Sequence, residues 1–143
     1  MKLNTKLTLV LPVVSVLMFT GGTVLAADAP MICAVTQAIS CAKENDCISG
    51  SANSINMPLF LRINPEKNEI VSMKESRERR ISVIKQASTD VENRFLIYQG
   101  VEQGGAWSVV VDKTTGSMTA TIAAGEQDAF IVYGACSAAL LNP

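Results

Sequence analysis

The sequence predicts an all-β domain: an antiparallel up-and-down meander of about eight short strands, closed or nearly closed into a small barrel. Short apolar stretches alternate with polar residues at a period of two, which is typical of half-buried strands. Gly, Asn, Asp and Pro separate these stretches at close intervals, as in tight turns between antiparallel strands. Because an open sheet of this kind would leave two exposed edges, closure is expected. A two-sheet sandwich is the alternative.

The clearest strand signal is a hairpin from Trp107 to Ala123. Its two strands flank the turn 113–116, where Gly116 suits a left-handed backbone position. The alternation predicts that Ser108, Thr119 and Thr121 face outward. The inward face of the hairpin and Phe130 of the last strand are predicted to form the core. The inward residues of the hairpin are Trp107, Val109, Val111, Met118, Ala120 and Ile122.

The other strands from residue 59 onward follow from the same signals. Residues 87–93 are polar and are predicted to form a turn. The predicted strands besides the hairpin are 59–63, 69–73, 81–86, 94–101 and 128–136.

Residues 31–43 fit two structures. Their apolar residues have helical spacing, but residues 35–41 can equally form a strand that returns through Cys47 to Ser49. We favour the hairpin and keep the helix as the alternative.

Residues 1–26 have the features of a cleaved signal peptide. Lys2 and Lys6 precede an apolar run over residues 7–19, and residues 24–26 offer a cleavage site after Ala26, with Ala27 as the alternative. The run contains Pro12 and is shorter than the ~20 residues that span a bilayer. We therefore expect a single all-β domain over residues 27–143 that is periplasmic or secreted, with no integral membrane anchor after cleavage.

All four cysteines lie in the predicted exported part, and an even number in an oxidising compartment predicts two disulfides. Cys41 and Cys47 flank a polar, turn-like stretch, so we pair them with each other. This leaves Cys33 to bond with Cys136 and to bring the first and last strands together. Zinc is not expected, because the chain has no histidine and the cysteines lack the close pairs of a zinc site. No metal or cofactor is predicted.

The charge balance argues against nucleic acid as a partner. Without Lys2 and Lys6, ten basic and 13 acidic residues remain, for a net charge of −3. Such a domain has no general electrostatic attraction to nucleic acid or to anionic membranes.

Several motifs together resemble a family of small exported bacterial proteins of unknown function. The resemblance covers nearly all of the chain after residue 26 and implies one domain with paired cysteines. It implies no activity, substrate or catalytic residue. The motifs are Cys33–Thr36, the Cys41 and Cys47 pair, Pro58–Ile63, Gln99–Glu102, Trp107–Ser108, Asp112 with Thr115–Thr119, and Tyr133–Cys136.

Candidate sites are few, and none is predicted to be catalytic. Without histidine there is no Ser-His or Cys-His pair. The strand-end carboxylates Asp112, Glu126 and Asp128 are expected to support turns. Two candidate binding segments remain. The basic residues Arg77, Arg79 and Arg80 could hold an anionic ligand. Lys43 and Asn45, at a tip closed by a disulfide, could form a recognition loop.

These observations predict an exported, non-enzymatic binding or interaction module for an unknown ligand. In one version the barrel mouth holds a small apolar or amphipathic molecule. In the alternative, a loop docks on an envelope protein, for example as an inhibitor of a secreted or envelope hydrolase. A carboxylate enzyme is a third class. A cavity of a few hundred Å³ would favour the first version, a packed barrel with a projecting loop the second, and two facing carboxylates in a cleft the third.

Overall fold

The structure, a computed structural model, describes residues 29–43, 46–73, 80–102, 104–125 and 128–138. These residues form ten antiparallel strands in one curled, half-barrel sheet, with one short 3-10 helix at Ala52–Ile55. The predicted all-β antiparallel meander is confirmed. The strands are β1 (Met31–Ala42), β2 (Ile48–Gly50), β3 (Phe60–Asn64), β4 (Glu69–Met73), β5 (Arg80–Val83), β6 (Gln86–Thr89), β7 (Phe95–Glu102), β8 (Gly105–Asp112), β9 (Ser117–Ala124) and β10 (Asp128–Ala138).

The first and last strands are neighbours in the sheet, as barrel closure requires. The order is β5-β4-β3-β1-β10-β9-β8-β7-β6, with β2 paired to β1 beside this path. The outer strands of the sheet are therefore β5 and β6, which only Ile84 and Lys85 separate along the chain. The Ile84 N–H donates to the carbonyl of Asn68 at 2.8 Å, and the Lys85 N–H donates to the carbonyl of Gln99 at 2.8 Å. Residues 80–89 thus link the two edges of the curled sheet.

The strand count is ten rather than about eight. The short β2 is the returning strand of the favoured cysteine hairpin. The addition is β6, which occupies part of the predicted turn at 87–93. All four residues of β6 are exposed, so this outer strand shows no apolar alternation. The turn itself is confined to residues 90–94, where Asn93 adopts a φ of 55°.

The helical alternative for residues 31–43 is wrong, because the segment forms the strand β1 and pairs with β2. Ser40 lies opposite Ile48, and Ala38 lies opposite Gly50. A shift in the pairing with β10 between Val35 and Gln37 marks a bulge. The bulge explains the ambiguous spacing: Cys33 and Val35 face inward two residues apart, and the next buried residue, Ala38, follows after three.

The core fills the middle of the curled sheet. The largest fully buried side chains include Ile63, Tyr98 and Val132. On the β8–β9 hairpin, the predicted inward residues Val109, Val111, Met118 and Ala120 are buried, whereas Thr119 and Thr121 are exposed. Gly116 closes the turn with a φ of 73°. The predicted core residues Trp107, Ile122 and Phe130 are only partly buried, because they line a cavity described below.

Both predicted disulfides are confirmed. Cys33 on β1 lies directly opposite Cys136 on β10 and bonds to it. Cys41 bonds to Cys47 and closes the turn between β1 and β2. Two such bonds indicate an oxidising, extracytoplasmic environment. Among the described residues, no helix has the length and apolar character needed to cross a membrane. The predicted signal peptide, residues 1–26, lies outside the described residues.

Candidate functional site

The strand directions define two ends of the barrel. At one, the turn end, lie the connections β3–β4, β6–β7 and β8–β9, over residues 65–68, 90–94 and 113–116. At the other, the open end, β1, β4, β7 and β9 finish and β3, β5, β8 and β10 begin. The sequence candidates Arg80 and Lys43 both belong to the open end.

A cavity of about 280 Å³ lies at the open end. Five strands contribute inward-facing apolar side chains to its wall, and Met57 adds a side chain from the segment after the 3-10 helix. The apolar wall residues on the strands are Leu61, Ile70, Val109, Ala120, Ile122 and Phe130. The barrel is therefore packed in its middle and hollow at this end.

Trp107, the only tryptophan of the chain, lines this cavity from β8. It lies opposite Gly100 on β7. A Cβ on Gly100 would lie 2.3 Å from Cζ2 of the indole, so glycine makes room for the ring. The indole Nε1 is buried and has no hydrogen-bond partner among the described residues. Because an unsatisfied buried donor costs about 1–3 kcal/mol, a ligand acceptor would be favoured here.

A group of polar side chains borders the same cavity. It includes Ser72 on β4, Arg80 and Ser82 on β5, and Glu102 at the end of β7, and Asn56 after the 3-10 helix also lines the cavity. Ser82 is half-buried and Arg80 is exposed, but both lie opposite buried residues of β4 and line the cavity, while the alternate residues Ile81 and Val83 are 47% and 48% exposed on the outside. This orientation is the reverse of an ordinary amphipathic strand and indicates that the polar residues serve the cavity.

Hydrogen bonds hold this polar group in place. Ser72 Oγ accepts from the Arg80 N–H at 3.2 Å and donates to the Arg80 carbonyl at 3.3 Å. Ser82 Oγ donates to a carboxylate oxygen of Glu102. Within the described part of the chain, the Arg80 guanidinium makes no ion pair. The cavity therefore combines an apolar wall with a polar border, in which Ser82 and Glu102 are bonded to each other and Arg80 is held by its backbone.

Of the two predicted binding residues that the structure describes, Arg80 lines the cavity and Lys43 does not. Lys43 is exposed at the β1–β2 turn on the same end, and Asn45, Arg77 and Arg79 lie outside the described residues. The predictions missed Glu102, which lies one residue beyond the predicted strand 94–101. Continuing the period-two count through Tyr98 and Gly100 would have placed it inward.

Of the three predicted strand-end carboxylates, the two that the structure describes do not form a pair. Asp112 ends β8 at the turn end, and Asp128 begins β10 at the open end; Glu126 lies outside the described residues. Asp112 Oδ2 accepts from Arg94 Nη2 at 2.7 Å, and Oδ1 accepts from the Thr114 N–H at 2.8 Å. The Arg94 hydrogen bond and then the Thr114 N–H lower the pKa of Asp112 to about 2. Asp112 thus supports a turn, as predicted.

Over the described ranges, no group of three or more His, Cys, Asp or Glu side chains could hold a metal ion. Comparisons with protein families, curated proteins and solved structures found no match for this chain. The resemblance to a family of small exported proteins stays a prediction. Function is therefore inferred from the cavity and the side chains that line it.

Proposed function

We propose that this protein is an exported, non-enzymatic binding protein that holds a small amphipathic molecule in the open-end cavity. The observation that carries the proposal is the lining: apolar side chains from five strands on one side, and Arg80, Ser82 and Glu102 on the other. Such a lining matches a molecule with an apolar body and a polar group. Apolar walls with a few placed polar groups are typical of small-molecule sites.

The size of the cavity fits a small ligand. At about 280 Å³, it is roughly twice the ~150 Å³ apolar cavity that accepts benzene. It is just below the ~300–1,000 Å³ of sites for drug-sized ligands. A ligand of about ten heavy atoms is therefore expected, a scaling from the benzene case.

Binding without turnover is proposed because the usual reactive groups are engaged or missing. The sequence has no histidine, and all four thiols are consumed in disulfides. Of the predicted strand-end carboxylates that the structure describes, Asp112 and Asp128 lie at opposite ends of the barrel, and the Glu102 carboxylate accepts a hydrogen bond from Ser82. Turnover of a cell-wall or lipid substrate by the purified protein would refute this part of the proposal.

The alternative function, an inhibitor of a secreted or envelope hydrolase, would suit a packed barrel with a projecting loop. The open-end cavity favours a small ligand instead.

A periplasmic or secreted location completes the proposal. The exported protein should have an intact mass that corresponds to a chain beginning at Ala27 or Asp28. Recovery of a membrane-bound species that keeps residues 1–26 would refute this assignment.

Binding can be tested with n-decanol, because Trp107 is the only tryptophan and lines the cavity. We expect decanol to change the tryptophan fluorescence in a saturable manner with one site. Ala120→Leu, which extends a buried side chain of the wall into the cavity, should weaken binding at least tenfold. Ala129→Leu is the matched control, because Ala129 is exposed on the outer face of β10. No saturable change, or an equal effect of both substitutions, would refute the proposal.

A further inference from the structure

We propose that the ligand is an amphipathic carboxylate, with its head group on Arg80 and a medium-length aliphatic chain along the apolar wall. This inference rests on the proposed function and specifies the class of ligand. Its basis is the balance of hydrogen-bond donors and acceptors around the cavity.

The acceptors of the polar group are largely engaged within the protein. One oxygen of the Glu102 carboxylate already accepts from Ser82 Oγ. Ser72 Oγ both accepts from and donates to the backbone of Arg80. Ser82 and Ser72 therefore have no hydroxyl proton left for a ligand. The two serine hydroxyl groups beside the cavity therefore already donate within the protein.

The donors that remain are Trp107 Nε1 and the guanidinium of Arg80. The indole Nε1 is buried and unpartnered, and the guanidinium makes no ion pair, in both cases counting partners among the described residues. A ligand that complements this site must supply acceptors. The planar fork of an arginine matches a carboxylate in a bidentate geometry, so a carboxylate is the head group that this donor set fits.

Glu102 acts against such a ligand and limits its affinity. Its carboxylate lines the same cavity as Arg80, and like charges in a partly buried site repel. The hydrogen bond from Ser82 reduces this effect without removing the charge. Removing the charge of Glu102 should therefore strengthen the binding of a carboxylate, which is a result that a purely structural role for this residue would not produce.

The volume of the cavity limits the length of the aliphatic chain of the ligand. The cavity of about 280 Å³ is too small for a long-chain lipid tail, given that ~150 Å³ holds one benzene. A chain of about ten carbons is expected to fill it, by the same scaling. Decanoate is therefore the probe of choice. Decanol and decylamine are matched probes with the same chain and a neutral or cationic head.

The test compares the three probes by Trp107 fluorescence at neutral pH and low salt. Decanoate should bind at least tenfold more tightly than decanol, and decylamine more weakly than decanoate. Arg80→Gln should lower the ratio of decanoate affinity to decanol affinity to about one, at least a tenfold loss of preference. Arg80→Lys should keep part of it, because the charge remains without the fork. Glu102→Gln should strengthen decanoate binding several-fold. Lys43→Gln is the control, since Lys43 is an exposed cation on the same end outside the cavity.

The outcomes separate the two proposals. If decanol binds in the cavity but decanoate binds no more tightly, the carboxylate assignment is wrong and the proposed function stands. Tightest binding of decylamine would also overturn it and would identify Glu102 as the partner of the head group. An equal loss of decanoate binding in Lys43→Gln and Arg80→Gln would show general charge attraction rather than a site. If none of the probes binds, the proposed function itself fails.

Discussion

The two ends of the barrel use their polar side chains differently. At the turn end, polar side chains bond to the backbone of their own turns. Asp90 Oδ1 accepts from the N–H groups of Arg94 and Phe95, both at 2.7 Å, and Asn64 Oδ1 accepts from the Lys67 N–H at 3.2 Å. At the open end, Arg80, Ser82 and Glu102 face the cavity instead.

The difference separates stability from recognition. Side chains that satisfy local backbone groups lock a turn, and they leave little bonding capacity for another molecule. At the cavity, Trp107 Nε1 and the Arg80 guanidinium satisfy no backbone group of the described residues and stay available to a ligand. The interior follows the same division: Val111, nearer the turn end, is buried outside the cavity, whereas Trp107 and Ile122 are only partly buried at its wall. We expect the turn end to account for more of the stability.

The largest expected effect separates the two disulfides. Cys33–Cys136 spans 103 residues, and the Cys136 N–H also donates to the Gly116 carbonyl at the turn end. Cys41–Cys47, at the open end, spans six. In the chain-entropy account, replacing both cysteines of the long bridge by alanine should cost about 4–5 kcal/mol, and replacing those of the short bridge about 2. Denaturant unfolding of the two double variants measures this. Equal losses would argue against the entropic explanation.

The next effect compares two valines on the same strand. Val109 and Val111 are 4% and 3% exposed, but only Val109 lines the cavity. Both Val→Ala changes should cost about 1–3 kcal/mol, with Val111 at the upper end, because the space of about 50 Å³ that it borders is smaller than the cavity of about 280 Å³ beside Val109. Chemical denaturation at one temperature gives both values. A larger loss for Val109→Ala would mean that the open end is packed as tightly as the turn end.

Much of the fold could be predicted from the sequence. The alternation of apolar and polar residues around a glycine turn indicates the β8–β9 hairpin, and the number and spacing of the cysteines indicate their pairing. The strand β6 could not be predicted, because all four of its residues are exposed and show no alternation of apolar and polar side chains. Part of the site was equally hidden. Ser72, Ser82 and Glu102 are separated by up to 30 residues and meet only because β5 closes against the end of β7, a long-range relation that no local spacing encodes. Arg80 was found through its charge, not through its inward direction.

Acid should weaken the turn end. Because Arg94 and the Thr114 N–H lower the pKa of Asp112 to about 2, from ~3.9 in an unfolded chain, its ionised form favours the folded state. This contribution is complete above pH ~4 and is lost as the pH falls towards about 2. Asp112→Asn should therefore flatten the stability curve in this window. Thermal unfolding across the window checks it, with Arg94→Gln as the companion variant, since it removes the largest cause of the shift. An unchanged slope in both variants would contradict the assignment.

The smallest expected effect is on the outer face of the same hairpin. Thr119 is exposed on β9, between Val110 and Tyr133 on the neighbouring strands. If the stability of the turn end comes from the interior and from turn hydrogen bonds, Thr119→Ala should cost less than ~0.5 kcal/mol, as for other exposed changes. Val109→Ala, on the inward face of β8, is the internal reference. A loss above ~1 kcal/mol for Thr119→Ala would instead show that cross-strand contacts on the outer face stabilise the hairpin. The stability of the turn end would then come from its outer face as well as from its interior and its turn hydrogen bonds.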